Sequence, residues 1–423
     1  MKYSFEMKQD YIQKIFLKNI KGAITIKRII SIMTILLVLF VLSGAVSAAN
    51  SNGTSDLNTT FIDNTSHDDG LIDEVSDVNN ATDDVNSGTY TDLADEIQSG
   101  GNITLDKDIY IYNSGSTIKI ITPGTIDGNG AIIDMMNSNI RIFDIMADGV
   151  TLKNITFKNV NIGDNDGAVR FWHSGIVDAC NFINISGYIG SAINMDTGAV
   201  TNSNFINNTA YGGAVFIDKG IVNACNFTNN TAFDGAALGM NYGIVTNCSF
   251  ENNHADRNAG ALWLMTGFVN DSTFDNNYAG NDGGAIWMHR GSVNNCNIEN
   301  NHANKNGGGV YINQKGAVSY SNLTKNDGFL GGAVYMNKGE VDNCNFDSNS
   351  AGAYAGGVYM KTGKVINSNF NADTATAHWK AIFIEDKYEV NNCNFTDINP
   401  EDAIGSTPDG NGTIENCNFD QKI

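Results

Sequence analysis

Basic residues are scarce in this chain, which has 25 lysines and arginines against 46 aspartates and glutamates and a formal net charge of −21. Without residues 1–49, which hold seven basic and two acidic residues, the net charge is −26. A surface of this charge repels the phosphates of a nucleic acid, and no basic stripe is evident in the sequence to oppose that repulsion. The composition therefore predicts that nucleic acid is not a partner.

The sequence also lacks the patterns that define helical and leucine-rich repeat folds. Its apolar residues alternate over short stretches separated by glycine and asparagine, and they do not recur with helical spacing. Leucine-rich repeats have a similar length per unit but need leucine at fixed positions, and here Phe, Val, Asn and Gly hold the fixed positions. This pattern favours a solenoid built from short strands.

One unit of sequence recurs through more than half of the chain. Each copy has a branched apolar residue that opens the segment V-x-x-[C/S]-x-F, and successive openings are 22 to 25 residues apart. A fixed period in this range is typical of a solenoid in which each coil contacts only its neighbours. The opening residues are Leu152, Val177, Val200, Val222, Val245, Val269, Val293, Val318, Val341, Val365, Val390 and Ile414.

The unit at residues 331–351 shows what one coil contains. Val334 and Met336 alternate with Tyr335 and so lie on the opposite face of a strand, and Phe346 belongs to a second apolar segment after a glycine turn. One coil cannot bury its own apolar face, but coils stacked in parallel register can. Because parallel crossovers are right-handed in nearly all proteins, the sequence predicts an all-β, right-handed, single-stranded parallel β-helix with roughly 24 residues per coil.

Columns of equivalent residues support this stacking. Asparagine pairs such as Asn207-Asn208 and Asn229-Asn230 follow the Phe position, where asparagine tolerates a turn and its amide can bond to the identical amide one coil away. All seven cysteines occupy one inward column in which serine replaces them on other coils, which favours small buried thiols over disulfides. The Phe column itself comprises Phe157, Phe182, Phe205, Phe227, Phe250, Phe274, Ile298, Leu323, Phe346, Phe370, Phe395 and Phe419.

Two short motifs in these units resemble a known repeat. GGA followed by a branched apolar residue, as in Gly212–Val215, and F-x-x-N, as in Phe205–Asn208, are similar to the repeat of polymorphic outer membrane proteins. The upstream stretch ITPGTIDGNGAIIDM, followed by RIFDIMADGVTLKNITFKNV, resembles the start of the adhesin-like surface proteins of methanogenic archaea. The resemblance covers about residues 89–423, although F-x-x-N lapses at Phe182–Ile185 and Phe395–Ile398. It implies a β-helical protein at the cell surface, with adhesion as its role.

The N-terminal segments read as export and spacer sequence. Residues 1–49 contain a basic leader, an apolar stretch and the small residues Val46-Ser47-Ala48-Ala49. This order predicts a signal peptide or, as the alternative, an uncleaved N-terminal membrane anchor. Residues 50–88 are rich in Asn, Asp, Ser and Thr and predict a disordered spacer. We therefore expect an exported protein at the cell surface or outside the cell.

The remaining residues are assigned to the solenoid. Residues 89–151 are expected to form an N-terminal cap and the first coils, with a short amphipathic helix at Tyr90–Gly100 that starts at Thr91 as its cap and covers the first coil. Residues 152–423 are expected to form the repeat β-helix. The last coil would leave a strand edge able to pair with another chain, so end-to-end self-association is expected to be possible, with fraying of the last coil as the alternative.

The most informative outward column is aromatic. An aromatic residue recurs every 24 residues on six consecutive coils, and Phe216 extends the row beyond a gap at Gly239. Exposed aromatic rings in a row can form a platform for an extracellular glycan or a cell-surface partner. The alternative is a self-stacking ladder that stiffens the sheet. The column consists of Trp263, Trp287, Tyr311, Tyr335, Tyr359 and Phe383.

Enzymatic function is the alternative to binding, because parallel β-helices also host polysaccharide lyases and glycoside hydrolases. Asp196 and Asp218 share a column on neighbouring coils, and strands about 4.8 Å apart could bring their carboxylates near the spacing of a retaining pair. Both precede turn glycines, where aspartate also serves the turn. Asp164 and Asp166 offer oxygen ligands for calcium but lack a full ligand set. The sequence therefore predicts no catalytic site, no metal and no cofactor.

Overall fold

The computed structural model describes residues 85–420, which form an all-β, right-handed parallel β-helix of about 14 turns with roughly 24 residues per turn and two short helices. This confirms the fold predicted from the repeat. The helices are Tyr90–Ile97 and Pro400–Ala403. The predicted segment 1–49 and the first 35 residues of the predicted spacer lie outside the described residues.

Three parallel sheets run along the axis. The Phe sheet contains Ser87–Thr89, Ile109–Ile111, Ile132–Ser138, Thr156–Asn161, Asn181–Ser186, Asn204–Ile206, Asn226–Thr228, Ser249–Glu251, Thr273–Asp275, Asn297–Glu299, Asn322–Thr324, Asn345–Asp347, Asn369–Asn371, Asn394–Thr396 and Asn418–Asp420. The corner sheet contains Thr231–Asp234, His254–Asn258, Tyr278–Ala279, His302–Ala303, Asp327–Leu330, Ser350–Tyr354 and Thr374–Ala375.

The third sheet, the wide sheet, has the longest strands, and each of them bends at a glycine so that it covers two sides of the coil. Near both ends of the solenoid the two halves of the strand are separate, and each pairs with one half of a neighbouring long strand. The strands are Ile103–Thr104, Ile118–Ile120, Gly124–Asp127, Phe143–Ile145, Val150–Lys153, Val169–Asp178, Ile193–Thr201, Val215–Asn223, Leu238–Thr246, Leu262–Asn270, Ile286–Asn294, Val310–Ser319, Val334–Asp342, Val358–Ile366, Ile382–Ile384, Tyr388–Asn391, Ile404–Ser406 and Gly412–Glu415.

The Phe column lies at the centre of the core, as predicted. Phe227, Phe250 and Phe274 are fully buried and pair in register on consecutive coils. The ring centroids of Phe227 and Phe250 are 4.8 Å apart, and those of Phe250 and Phe274 are 4.6 Å apart, with planes within 3° of parallel. The rings therefore superpose along the axis at the spacing of the strands.

The bend of the wide sheet depends on a column of glycines. Gly243, Gly267 and Gly291 pair in register on consecutive coils. A Cβ atom at Gly291 would lie 1.9 Å from the carbonyl oxygen of Gly267, and its φ of +145° is in the region that favours glycine. The coils can approach this closely at the bend only because the residue has no side chain.

A buried ladder of amides connects the coils between the Phe sheet and the corner sheet. The side-chain Nδ2 of Asn253 donates to Oδ1 of Asn277 on the next coil at 3.0 Å and to the carbonyl oxygen of Phe227 on the preceding coil at 3.0 Å. Its Oδ1 accepts from the backbone and side-chain amides of Asn230. The predicted amide-to-amide bonds are confirmed. The ladder comprises Asn208, Asn230, Asn253, Asn277, Asn301, Asn326, Asn349 and Asp373.

The predicted capping helix is present with a different start. Thr89, not Thr91, is the N-cap residue, and its hydroxyl and the Asp92 carboxylate form a capping box. The helix buries Leu93 and Ile97 against the first coils. The first strand begins at Ser87, two residues before the predicted boundary of the cap. Within residues 85–420, no helix is long and apolar enough to cross a membrane.

Candidate functional site

The aromatic column lies on the outer face of the wide sheet, on the half of each strand that precedes the bend. Its members pair in strict register, Trp263 with Trp287, Trp287 with Tyr311, and so on to Phe383. Successive ring centroids are 5.6, 6.2, 5.0, 5.2 and 5.2 Å apart, and all planes but the last pair are within 16° of parallel. The column is therefore a self-stacked ladder.

Half of this column is not available to a ligand. Tyr335, Tyr359 and Phe383 are only 6, 7 and 6% exposed, so the expectation of a six-ring exposed platform is wrong for these three. They pack against Tyr354, at the end of a corner-sheet strand, and Trp379, from the segment between the corner sheet and the wide sheet. Burial raises the pKa of the Tyr335 and Tyr359 hydroxyls, consistent with their removal from water.

The other half of the column remains at the surface. Trp263, Trp287 and Tyr311 are partly exposed. Because their faces stack on one another, they present mainly ring edges to solvent. Beyond Trp263 the stack stops at Gly239, over which the Phe216 ring leans: a Cβ atom at Gly239 would lie 3.0 Å from Cδ2 of Phe216.

The two candidate catalytic carboxylates are in one column, as expected, and each makes a contact between coils. The strands that carry Asp196 and Asp218 pair in register on both sides of these residues. Oδ1 of Asp196 lies 2.7 Å from a guanidinium nitrogen of Arg170, and Oδ1 of Asp218 accepts a hydrogen bond from Nδ2 of Asn241 at 2.6 Å. Each carboxylate is therefore engaged in joining neighbouring coils.

An exposed tryptophan lies beside this acidic pair. Trp172 is 46% exposed, its ring carries the Arg170 guanidinium at 4.6 Å, and its Nε1 donates to Oδ1 of Asp144 at 3.3 Å. Arg141 lies 2.6 Å from the same Asp144 oxygen. Arg170 was not singled out from the sequence, because only the stacking of coils brings it to Asp196. The arrangement pairs acids with arginines and so resembles a surface ion-pair network.

The candidate cation site at Asp164 and Asp166 is a turn between coils. Oδ1 of Asp166 accepts the backbone N–H of Ile189 at 3.2 Å, and its carbonyl oxygen accepts from Arg141 at 2.7 Å. Among residues 85–420, no group of three or more His, Cys, Asp or Glu side chains is arranged to hold a metal ion. The turn contacts account for Asp166 without a bound cation.

The cysteine column is inward, and all seven thiols are free. Cys180 and Cys344 are fully buried, and burial raises the pKa of each thiol to about 12. The Cys344 thiol donates to the carbonyl oxygens of Val318 and Asp342 at 3.5 Å. The Cys180 and Cys344 thiols are therefore too basic and too enclosed to act as nucleophiles.

The sequence reading missed one surface feature, a line of cations at the bend of the wide sheet. Strand register pairs Arg290 with Lys315, Lys315 with Lys338, and Lys338 with Thr362 on successive coils. Lys387 comes next in this column, and its carbonyl oxygen accepts a hydrogen bond from the Thr362 hydroxyl. The expectation that no basic stripe exists is therefore wrong for this face. The intervals between these residues are unequal, so a fixed period does not reveal the alignment.

Comparison with known proteins supports the fold. Residues 169–327 match the family described as right handed beta helix region. No curated protein and no solved structure matches the chain. The matched residues include Trp263, Trp287 and Tyr311, so the exposed half of the aromatic column lies in the part of the chain that is similar to this family.

Proposed function

We propose that this chain is an exported β-helix at the cell surface that acts as a rigid, adhesin-like binding module for a glycan or another surface partner. Export and surface location are inferred from residues 1–49 and from the resemblance to adhesin-like proteins. The observation that carries the binding proposal is the partly exposed row formed by Trp263, Trp287 and Tyr311.

The rigidity of this row favours binding. Each of the three rings is held by strand pairing on both sides and by stacking on its neighbours. A ligand that packs along the ring edges would therefore immobilise few side chains, and the entropy lost on binding would be small. Indole N–H and tyrosine O–H groups can also donate to sugar hydroxyls at such an edge.

The test replaces the exposed rings and compares them with an exposed ring elsewhere on the same strand. Serine at Trp263, Trp287 and Tyr311 together should abolish binding to a glycan array and to cells. Phe268→Ser is the matched control, because Phe268 is 46% exposed and lies on the strand of Trp263 but beyond the bend. Unchanged binding by the triple variant, with a wild-type circular dichroism spectrum, would refute this site.

Polysaccharide cleavage, the alternative function, has weaker support because Asp196 and Asp218 are both engaged between coils. If the chain were a lyase or hydrolase that used this pair, Asp218→Asn would remove activity on a polysaccharide panel. We expect neither the wild type nor the variant to cleave any member of the panel. Cleavage by the wild type that Asp218→Asn abolishes would favour the enzyme. A purely structural role predicts no binding and no cleavage.

A further inference from the structure

We infer that the basic column at the bend of the wide sheet is a binding site for a linear acidic polysaccharide that runs parallel to the axis of the β-helix. The basic strip, as it is called here, consists of the column residues Arg290, Lys315, Lys338 and Lys387 together with Lys361, which lies next to Thr362, the residue that holds the column position between Lys338 and Lys387; all five cations are exposed. It is separate from the aromatic column and does not depend on the proposed role of that column.

No member of the basic strip has an acidic partner within residues 85–420, which is also true of separate lysines such as Lys119, Lys305 and Lys325, whereas several other cations are paired. Arg141, Lys158, Arg170 and Arg257 all lie close to aspartates. None of the five members of the basic strip forms an ion pair within the described chain. Arg290 instead donates to Oε1 of Gln314 at 2.7 Å, and Lys315, Lys338, Lys361 and Lys387 form no side-chain hydrogen bond there.

Acidic side chains near the strip do not cancel its charge. Glu340 lies 3.3 Å from Lys364, a further lysine next to the strip, and Glu385 accepts a hydrogen bond from Tyr359. Asp386 and Glu389 are exposed at its C-terminal end. In a protein with a net charge of −21, five cations without ion pairs at the bend, four of them in one column, form a local positive surface that attracts an anion.

The geometry of the strip favours an extended polymer with about one charge per unit. Neighbouring strands are about 4.8 Å apart, so the five coils from Arg290 to Lys387 span roughly 19 Å along the axis. This spacing is close to the length of one sugar in an extended chain. Double-stranded DNA carries one charge per about 1.7 Å of its axis, far more densely than a single file of cations can match. The strip therefore fits a polyuronate or sulfated glycan better than a nucleic acid.

A shallow groove at the C-terminal end of the strip adds a place for a sugar ring. The groove has a volume of about 460 Å³, and it is lined by Lys364, Lys387, Tyr388, one carboxylate (Glu389), Thr362, Asn411 and the glycines Gly339 and Gly363. The glycines let a ligand approach the backbone closely. Tyr388 offers an apolar surface to a ring, and Lys387 can bind its carboxylate or sulfate.

The experiment measures binding of the full-length protein to polygalacturonate, with dextran sulfate and neutral dextran in parallel. We expect binding to at least one of the two anionic polymers and none to neutral dextran. The affinity should fall as salt concentration rises, because bound cations release counterions from the polymer. Comparison of the carboxylated and sulfated polymers identifies the charged group that the strip prefers.

The matched variants remove the same charge at two places. Replacement of Lys315, Lys338 and Lys387 by Gln should weaken binding by about tenfold or more, from the loss of three of the contacts that release counterions. Replacement of Lys119, Lys305 and Lys325 by Gln, three exposed lysines elsewhere on the β-helix, should leave binding within about twofold.

Four outcomes would overturn the inference. The first two are no binding to either anionic polymer and equal weakening of binding by both lysine triple variants. The third is tighter binding to single-stranded DNA than to both polymers, and the fourth is binding that the Trp263, Trp287 and Tyr311 variant abolishes but the strip variant leaves unchanged. The last outcome would leave the proposed function standing. Conversely, retention of polygalacturonate binding by the aromatic variant would support the strip even if the aromatic column binds nothing.

Discussion

Asp373 is the only carboxylate in the buried amide ladder, and replacing it with asparagine should stabilise the protein at neutral pH. Its Oδ1 accepts from the backbone and side-chain amides of Asn349 at 2.8 and 2.9 Å. Its Oδ2 is buried without a partner. On the preceding coil the equivalent atom is Nδ2 of Asn349, which donates to the carbonyl oxygen of Leu323 at 2.8 Å. An ionised Asp373 has no proton to donate at this position.

The size of the effect follows from the pKa of this group. Burial raises the pKa of the Asp373 carboxyl to about 8, although the hydrogen bonds from Asn349 act in the opposite direction. Because the pKa in an unfolded chain is about 3.9, ionisation is harder in the folded state. The stability that the protonated group provides is complete below about pH 4 and is lost as pH rises towards 8. At pH 7 the loss is on the order of 4 kcal/mol.

The assay compares the wild type with Asp373→Asn in urea unfolding at several pH values between 4 and 8. The variant should be nearly as stable as the wild type at pH 4 and more stable by roughly 4 kcal/mol at pH 7. Because the coils of a solenoid can unfold separately, hydrogen exchange of residues 350–375 should accompany the measurement. These amides are expected to exchange more slowly in the variant at neutral pH.

Asp386→Asn serves as the control. Asp386 is exposed, so this substitution removes the same charge without changing the amide ladder. It should leave the pH dependence of unfolding as it is in the wild type. An Asp373→Asn protein whose stability falls with pH as steeply as that of the wild type would contradict the reasoning. So would a carbon-13 NMR titration in which the Asp373 carboxyl ionises near pH 4 in the folded protein.

Three further substitutions test the elements of the coil by urea unfolding. Phe250→Ala should cost about 3–5 kcal/mol, because it leaves a cavity between two stacked rings, whereas Phe268→Ala at the surface should change stability by less than about 0.5 kcal/mol. Asn253→Ala should cost about 2–5 kcal/mol, because the buried backbone and side-chain amides of Asn230 lose their acceptor on the next coil and the Phe227 carbonyl oxygen loses a donor. Gly291→Ala should destabilise the bend by about 1–3 kcal/mol or more and lower the unfolding midpoint, because its Cβ would overlap the preceding coil.

The repeat predicted the stacked architecture because the same residues that set the period also form the core. Phe, Val, Asn and Gly recur at equivalent positions, and each one packs against or hydrogen-bonds to the equivalent residue on the next coil. The ring stack at Phe227, Phe250 and Phe274 and the amide ladder therefore follow from spacing alone. The helix start was displaced because both Thr89 and Thr91 are acceptable caps, and only Thr89 can share the capping box with Asp92.

The surface was harder to predict because it depends on segments that do not repeat. Tyr335 and Tyr359 have the alternation of outward residues, yet Tyr354, at the end of a corner-sheet strand, and Trp379, just after the corner sheet, cover the C-terminal part of their column. The chain between the Phe sheet and the wide sheet differs in length and content from coil to coil, so strand alternation cannot show which rings it covers. Alternation correctly places a side chain outside the solenoid, but it does not establish that the side chain reaches solvent.

The basic strip could not be predicted from the repeat for a related reason. The strand Val310–Ser319 contains one extra residue before its bend, and a register shift between Ile312 and Lys315 absorbs it. That shift returns Lys315 to the column of Arg290 and Lys338, although the separations along the chain are 25 and 23 residues. The alignment of charges thus depends on where a bulge forms, which the hydrophobic period does not specify.

Stacking in register restricts which columns can hold function, because every side chain lies about 4.8 Å from its equivalent on the next coil. Like charges in one column repel at this distance, so most outward columns carry amides and hydroxyls, and the aspartates at 196 and 218 are each engaged by a neighbouring coil. The cations of the basic strip have no such partner within the described chain. Their mutual repulsion is relieved when a polyanion lies along them, and this is why the strip, more than the acidic pair, has the electrostatics of a binding surface.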